Sequence, residues 1–382
     1  MGLDDFPRSL SSEQRERLLE VRSLAAETFA PIAAAGTPGM VNRKLIGALA
    51  EHGVLGEIFP TAFGGTASGE VSAVTLCLLR EGLAGGSTEA ETAFALQGLG
   101  SYPILQSGSE ELRRRWIPEV AGGKAVAAFA LTEPGAGSDA GALELAAERV
   151  DGGYRLTGTK KWISNAPEAD IYSVFARTTP EAGARGITAF VLPGDTSGVG
   201  GEPLELLAPH AIGTVELDGA FVGDDHVLGD VDGGFGVAMR TLDLFRPSVG
   251  AFAVGMAQAA LRAAVDHAGM RESFGKPLRS HQAVSHQLAE AAARTKAARL
   301  LVYDAAATYD AGDRVTKASA VAKLYATETA QFVVDAALQI HGALGLERGH
   351  LLEHLYREVR APRIYEGTSE IQREIIAREL YR

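Results

Sequence analysis

The apolar pattern of this 382-residue chain changes period twice, near residues 125 and 230, and no other feature constrains its fold as tightly. Before residue 125 apolar side chains recur at helical spacing over roughly 41–52, 69–84, 87–98 and 109–121. Ser11 and Gln14 form a capping-box pair ahead of a helix carrying Leu18, Leu19, Val21, Leu24 and Ala25. From 125 the pattern is that of strands. AVAAFALT reads as a buried strand, and LELAAERV and YRLTGTKKWIS flank Asp151-Gly152, a hairpin signal that needs positive φ. DIYSVFART, GITAFVLP and VELDGAFV follow as short strands between Gly, Pro and Asp breaks. Beyond 231 the helices are long. Val284, Leu288, Ala291, Thr295, Ala298 and Val302 make the stripe of a bundle helix, and TSEIQREIIARELYR is a last helix capped by Thr368 or Ser369. The expected fold class is α+β. It has an N-terminal all-helical domain (1–124), a middle β-barrel or sandwich domain (125–230) and a C-terminal four-helix-bundle domain (231–382).

Charge and composition narrow the function. A net charge of −12 and a pI near 5.3 leave no general basic character for nucleic acid. Hydrophobic residues at 46% and charged residues at 22% suit a soluble globular protein. The single cysteine, Cys77, sits inside the apolar run VTLCLL and reads as a core residue. With no intrachain disulfide possible, a cytoplasmic location is expected. The polar, acidic N-terminus does not read as a signal peptide, and no uncharged apolar stretch reaches membrane length. His281, His286, His341, His350 and His354 lack metal-ligand spacing, so no metal is expected.

Three segments carry possible chemistry. LTEPGAGSDAG holds Gly135-x-Gly137-x-x-Ala140, which matches a dinucleotide fingerprint. Against that reading, Thr132-Glu133-Pro134 separates the strand from the glycines, and no crossover helices follow. The alternative is a Gly-rich loop that turns the chain. Tyr365-Glu366-Gly367-Thr368 places an acid ahead of a helix, where the dipole alone would favour it. Asp243 and Arg246 could be a solvated helical ion pair worth little.

Taken together, ALTEPGAGSD followed by GTKKWISNA resembles the paired signature of the acyl-CoA dehydrogenase family. RESFGKPLRSHQ, LQIHGALG and RIYEGTSEIQREIIARELYR resemble further family motifs in the same order. The likeness covers nearly the whole chain, and it implies FAD as cofactor and α,β-dehydrogenation of an acyl-CoA thioester. Glu366 would then be the base at Cα, and the flavin N5 would accept the hydride from Cβ. The backbone N–H of Glu366 and a ribityl hydroxyl would stabilise the thioester oxygen. At the alternative position for the base some members use, this chain has Phe245, which cannot take a proton. The resemblance assigns Phe129, Leu131, Thr132, Ser138, Trp162, Ile163 and Ser164 to the flavin. Ser138 would also lie near the thioester end of CoA, with Asp243, Arg246 and Gly367 on the substrate. Arg271, Phe274, Gln282, Gln339 and Gly342 would reach the FAD of a neighbouring subunit, and Thr368 and Glu370 would complete the contacts. A shared site implies a homo-oligomer, usually a tetramer. An electron-transfer flavoprotein is the expected electron acceptor.

Two places depart from the family pattern. Ala208-Pro209-His210-Ala211-Ile212-Gly213-Thr214 lacks the Arg and Ser of the usual run, and Gly342-Ala343 replaces a Gly-Gly pair. Two rival readings keep the fold. One is an oxidase or a tailoring dehydrogenase acting on a carrier-protein-bound acyl group. The other is a flavin-binding scaffold without turnover.

Overall fold

The computed structural model describes residues 6–381. They divide into two compact units. One comprises residues 31–71 and 92–242; the other comprises 6–30, 72–91 and 243–381.

The first unit is built on an eight-stranded sheet. Its strands are β1 (Ala127–Ala130), β2 (Ala146–Val150), β3 (Gly153–Ser164), β4 (Ile171–Arg177), β5 (Ile187–Pro193), β6 (Val199–Gly200), β7 (Ile212–Gly223) and β8 (Val227–Leu228). The order is β6-β7-β3-β2-β4-β5-β8, with β1 parallel to β4. The expected hairpin forms between β2 and β3, pairing Val150 with Gly153, and Gly152 takes φ +71° as the turn requires. β4 and β5 are buried on both faces, which explains their continuous apolar sequences. β7 alternates instead, with one face in the core. The two-residue strands β6 and β8 are too short to show a sequence period. Residues 92–107 of the helix Thr88–Ser107 pack directly on β1. A side chain at Gly100 would strike the Ala128 backbone, and the Gly100 carbonyl accepts from Ser173 Oγ at 2.7 Å. No crossover helix follows the glycines of 135–137: one 3₁₀ turn, Ala140–Ala142, leads straight to β2. The dinucleotide-fold reading fails on this observation.

The second unit is helical. It contains Ser12–Leu24, Ala73–Ala84, residues 243–270 of the helix Gly234–Met270, Gln282–Asp310, Thr316–His341, Leu351–Glu358 and Ser369–Glu379. Ser11 and Gln14 make both bonds of the capping box. Small residues bring the helices close. A side chain at Gly250 would strike Val302, and one at Gly255 would strike Ala84 and the Glu81 carbonyl. In Gln282–Asp310 the stripe is buried from Ala291 to Val302, but Val284 and Leu288 stay half-exposed. Gly234–Met270 has no uncharged run of membrane length, because Arg246 and Arg262 interrupt it, but it is long and apolar. It passes for a membrane span by length and composition, yet 78% of its apolar window is buried inside the protein, as in a core helix.

Candidate active site

In the sheet unit the loop after β1 is held by buried charge. Glu133 Oε1 accepts from Lys160 Nζ at 2.7 Å and from the Leu145 amide at 2.9 Å, while Oε2 accepts from the Glu144 amide at 2.6 Å. Lys160 Nζ also donates to the Leu131 carbonyl at 2.9 Å. Lys160 is fully buried, and burial pushes its ammonium down to about 8 against the pull of Glu133. These bonds tie the loop to β3 and to the entry of β2. The glycines it carries, Gly135 and Gly137, have open space where a side chain would stand.

β3 ends in a bulge. Its register against β7 shifts between Lys161 and Ile163, and Trp162 takes φ +58° with 44% of its surface exposed. Asn165, at φ +66°, donates from Nδ2 to the Ala127 carbonyl (2.8 Å) and from its amide to the Ala211 carbonyl (2.8 Å). The Ala208–Thr214 segment thus braces the end of β3 through main chain, which any residue can supply. The unit therefore presents a half-buried Phe129, whose ring lies 4.9 Å from Phe175, and a buried Leu131. Thr132 and Ser164 are half-buried, Ser138 is exposed, Ile163 is buried and Trp162 is an exposed flat aromatic. An aromatic ring, free hydroxyls and an open Gly-rich loop suit a flat, polar-edged ring system.

In the helical unit the decisive residue is Glu366. Its backbone is left-handed at φ +52°, and Gly367 follows at φ +93°. For a non-glycine residue this conformation persists only where surroundings enforce it. Three side chains do so. Lys323 Nζ donates to the Gly367 carbonyl at 2.6 Å, Gln372 Nε2 donates to Gly367 O at 3.0 Å and Glu366 O at 3.3 Å, and Arg246 Nε reaches Glu366 O at 3.4 Å. Glu366 Oε2 is sealed from solvent and accepts no hydrogen bond. Burial raises the Glu366 carboxyl above the ordinary carboxylate range, opposed by the cations Arg80, Lys323 and Arg246.

Arg246 is not a solvated ion-pair partner. It is buried, bonds Asp243 Oδ1 at 3.3 Å, and burial lowers its proton affinity while it raises that of Asp243. Thr368 caps the helix Ser369–Glu379 by accepting from the Ile371 amide at 3.3 Å, and Ser369 does not. Glu370 is exposed, its carboxyl held below the usual range by its own amide and the Thr368 hydroxyl. Arg271, Phe274, Gln282, Gln339 and Gly342 are all exposed. Phe274 is left-handed at φ +53°, and Gly342 at φ +61° ends the helix Thr316–His341. The His267 and His341 rings stack at 4.2 Å and bring Arg271 and Gly342 to the same end of the unit. Lys160, Glu133, Lys323, Gln372 and Asn165 were not singled out from sequence. Nothing in the residues beside these positions signals their burial.

Comparison with known proteins decides the family. The N-terminal, middle and C-terminal domain models of acyl-CoA dehydrogenase match residues 11–124, 128–219 and 232–381. The chain belongs to the acyl-CoA dehydrogenase family. It is 35% identical over 374 residues to cyclohexane-1-carbonyl-CoA dehydrogenase of Geobacter metallireducens, covering 97% of this chain and 98% of that one. It is 34% identical over 342 residues to a caffeyl-CoA reductase–Etf complex subunit of Acetobacterium woodii, covering 89% and 90%. Among solved structures, butyryl-CoA dehydrogenase from Megasphaera elsdenii aligns with a TM-score of 0.93 at 32% identity, over 99% of this chain and 100% of that one. The acyl-CoA dehydrogenase family is a family of FAD enzymes, and this chain is an FAD-dependent oxidoreductase of it.

Proposed function

We propose that this acyl-CoA dehydrogenase converts an acyl-CoA thioester to the trans-2-enoyl-CoA, with Glu366 removing the α-proton. One observation carries the reading. Glu366 Oε2 is buried, without a partner, on a backbone held in an unfavourable conformation. A carboxylate so placed keeps its lone pairs for a substrate C–H, and its raised proton affinity suits a base working near neutral pH. FAD, when bound, supplies the hydride acceptor at Cβ. Phe129, Leu131, Thr132, Ser138, Trp162, Ile163 and Ser164 would hold it, with Thr368 and Glu370. Arg271, Phe274, Gln282, Gln339 and Gly342 would come from a neighbouring subunit of a homotetramer. Asp243, Arg246, Ser138 and Gly367 would position the substrate. The electron acceptor would be an electron-transfer flavoprotein, and the compartment the cytoplasm.

A second reading runs the reaction backwards, with Glu366 protonating Cα of an enoyl-CoA. The Acetobacterium woodii relative, named a reductase, favours it. Anaerobic mixing tests both. The oxidised holoenzyme is offered straight-chain, cyclic and aryl acyl-CoAs, and the reduced holoenzyme the matching enoyl-CoAs. Glu366→Gln should retain FAD and thioester binding while flavin reduction slows by about 10²–10⁴-fold, the usual contribution of a general base. Full-rate reduction in that variant would remove Glu366 from the chemistry. Bleaching by no member of the panel would favour a non-catalytic scaffold.

A further inference from the structure

We propose that Lys323 is a positioning residue for Glu366, fixing the left-handed Glu366-Gly367 turn through the Gly367 carbonyl and holding a positive charge beside the carboxylate. The inference rests on the reading of Glu366 as the base.

Lys323 lies two turns into the helix Thr316–His341 with none of its side chain in solvent. Burying an ammonium is costly unless it is bonded and charge-compensated. Its short bond, 2.6 Å from Nζ to the Gly367 carbonyl, spends that charge on main chain adjoining the base. The carbonyl belongs to the peptide that follows Gly367. Fixing this peptide plane while Gln372 and Arg246 hold the preceding carbonyl leaves the dihedrals at Glu366 and Gly367 no slack. Gly367 is required, because a side chain there would strike Gln372 Nε2 and its φ is +93°.

The charges around the two groups come from several elements. Arg80 on Ala73–Ala84, Arg246 on Gly234–Met270 and Lys323 on Thr316–His341 act on Glu366. Lys323 in turn faces Glu366, Arg246, Glu328 and Glu370. Burial pushes its ammonium down to about 8, so it stays charged at neutral pH. The charge favours the ionised form of Glu366 and lowers the pH at which the base becomes competent.

The test uses FAD-loaded enzyme with Lys323→Met, Lys323→Gln and Lys323→Arg. Flavin content and melting temperature verify folding, and spectral perturbation by a non-reducible CoA thioester reports binding. Lys323→Met should bind that thioester normally and reduce flavin about 100-fold more slowly, as expected for a reacting group misplaced by about 1 Å. The acid limb of its rate–pH profile should move to higher pH by about one unit, within the ~1–3 units one neighbouring charge produces. Lys323→Gln keeps a donor and loses the charge, so it should show the limb shift with a smaller rate loss. Lys323→Arg should leave the limb in place. A folded Met or Gln variant with wild-type rate and limb overturns the proposal. If the Met variant fails to load FAD, the Gln variant decides. Failure of both would make Lys323 a residue of the fold and overturn the positioning role. Glu366→Gln separates the two readings: if it retains turnover, the assignment of the base falls, whereas a dead Glu366→Gln beside unaffected Lys323 variants sinks this inference alone.

Discussion

Lys160 Nζ and Glu133 Oε1 meet at 2.7 Å with both side chains removed from solvent, so the loop after β1 is anchored by a buried ion pair. A pair of this kind contributes little net stability over an apolar substitute, but losing one partner strands the other charge. Lys160→Met should therefore destabilise the protein by about 3–5 kcal/mol and release FAD at lower denaturant. The double variant Lys160→Met, Glu133→Gln should cost less than the sum of the two single changes, because neither charge is stranded. Denaturant titration followed by tryptophan and flavin fluorescence measures both.

Glu366 has its carboxyl raised by burial, and the sign of its effect on stability follows. Between the ordinary carboxylate range and the raised value, the folded state binds more protons than the unfolded state, so stability falls as pH rises through that window. Glu366→Gln should melt at the same temperature as the parent below the window and above it at pH 8. Equal melting temperatures at both pH values would show that the carboxylate carries no such cost.

Asn165 combines φ +66° with a side-chain bond to the Ala127 carbonyl at 2.8 Å. Asn165→Gly keeps the left-handed backbone and loses only the bond; Asn165→Ala loses both. The alanine variant should be the less stable by about 1–2 kcal/mol, the cost of left-handed backbone in an L-residue. The FAD dissociation constants, read by fluorescence recovery on release, should rank in the same order.

Glu81, Arg299, Gln258 and Tyr303 form a buried network in the helical unit, with bonds of 2.8 Å from Arg299 Nε to Glu81, 2.9 Å from Arg299 to Gln258 and 3.0 Å from Tyr303 to Glu81. Tyr303→Phe removes one bond to a charged acceptor and should cost about 1.5–3 kcal/mol in stability. The rate of flavin reduction should not change. A folded variant with a slowed rate would tie the network to catalysis.

Local signals were legible where a short stretch of chain decides its own conformation. The Ser11–Gln14 capping box, the Asp151-Gly152 turn and the Thr368 cap all lie within a few residues of what they stabilise. Signals that depend on a distant partner were not legible. The helix Ala73–Ala84 is capped by Asp310 as well as Ser72, through bonds of 2.6 Å to Ser72 Oγ and 2.6 Å to the Ala73 amide, and nothing near residue 73 announces this. In the basic run Arg113–Arg115, Arg113 is half-buried while Arg114 and Arg115 are exposed, and nothing in the run itself tells them apart. Val284 and Leu288 continue the helical stripe without being buried.

By itself the sequence determined the order of helices, strands and helices, because hydrophobic period and turn chemistry are local. Through its ordered motifs it also determined the family. Only the tertiary structure decided what makes Glu366 unusual. A carboxylate before a helix is ordinary until Lys323 and Arg246, from two distant helices, help hold its backbone left-handed and packing takes its Oε2 out of water. Burial and hydrogen-bond partnership depend on what surrounds a residue in space. A lysine such as Lys160 or Lys323 is identical in sequence to one on the surface, and folding alone buries it.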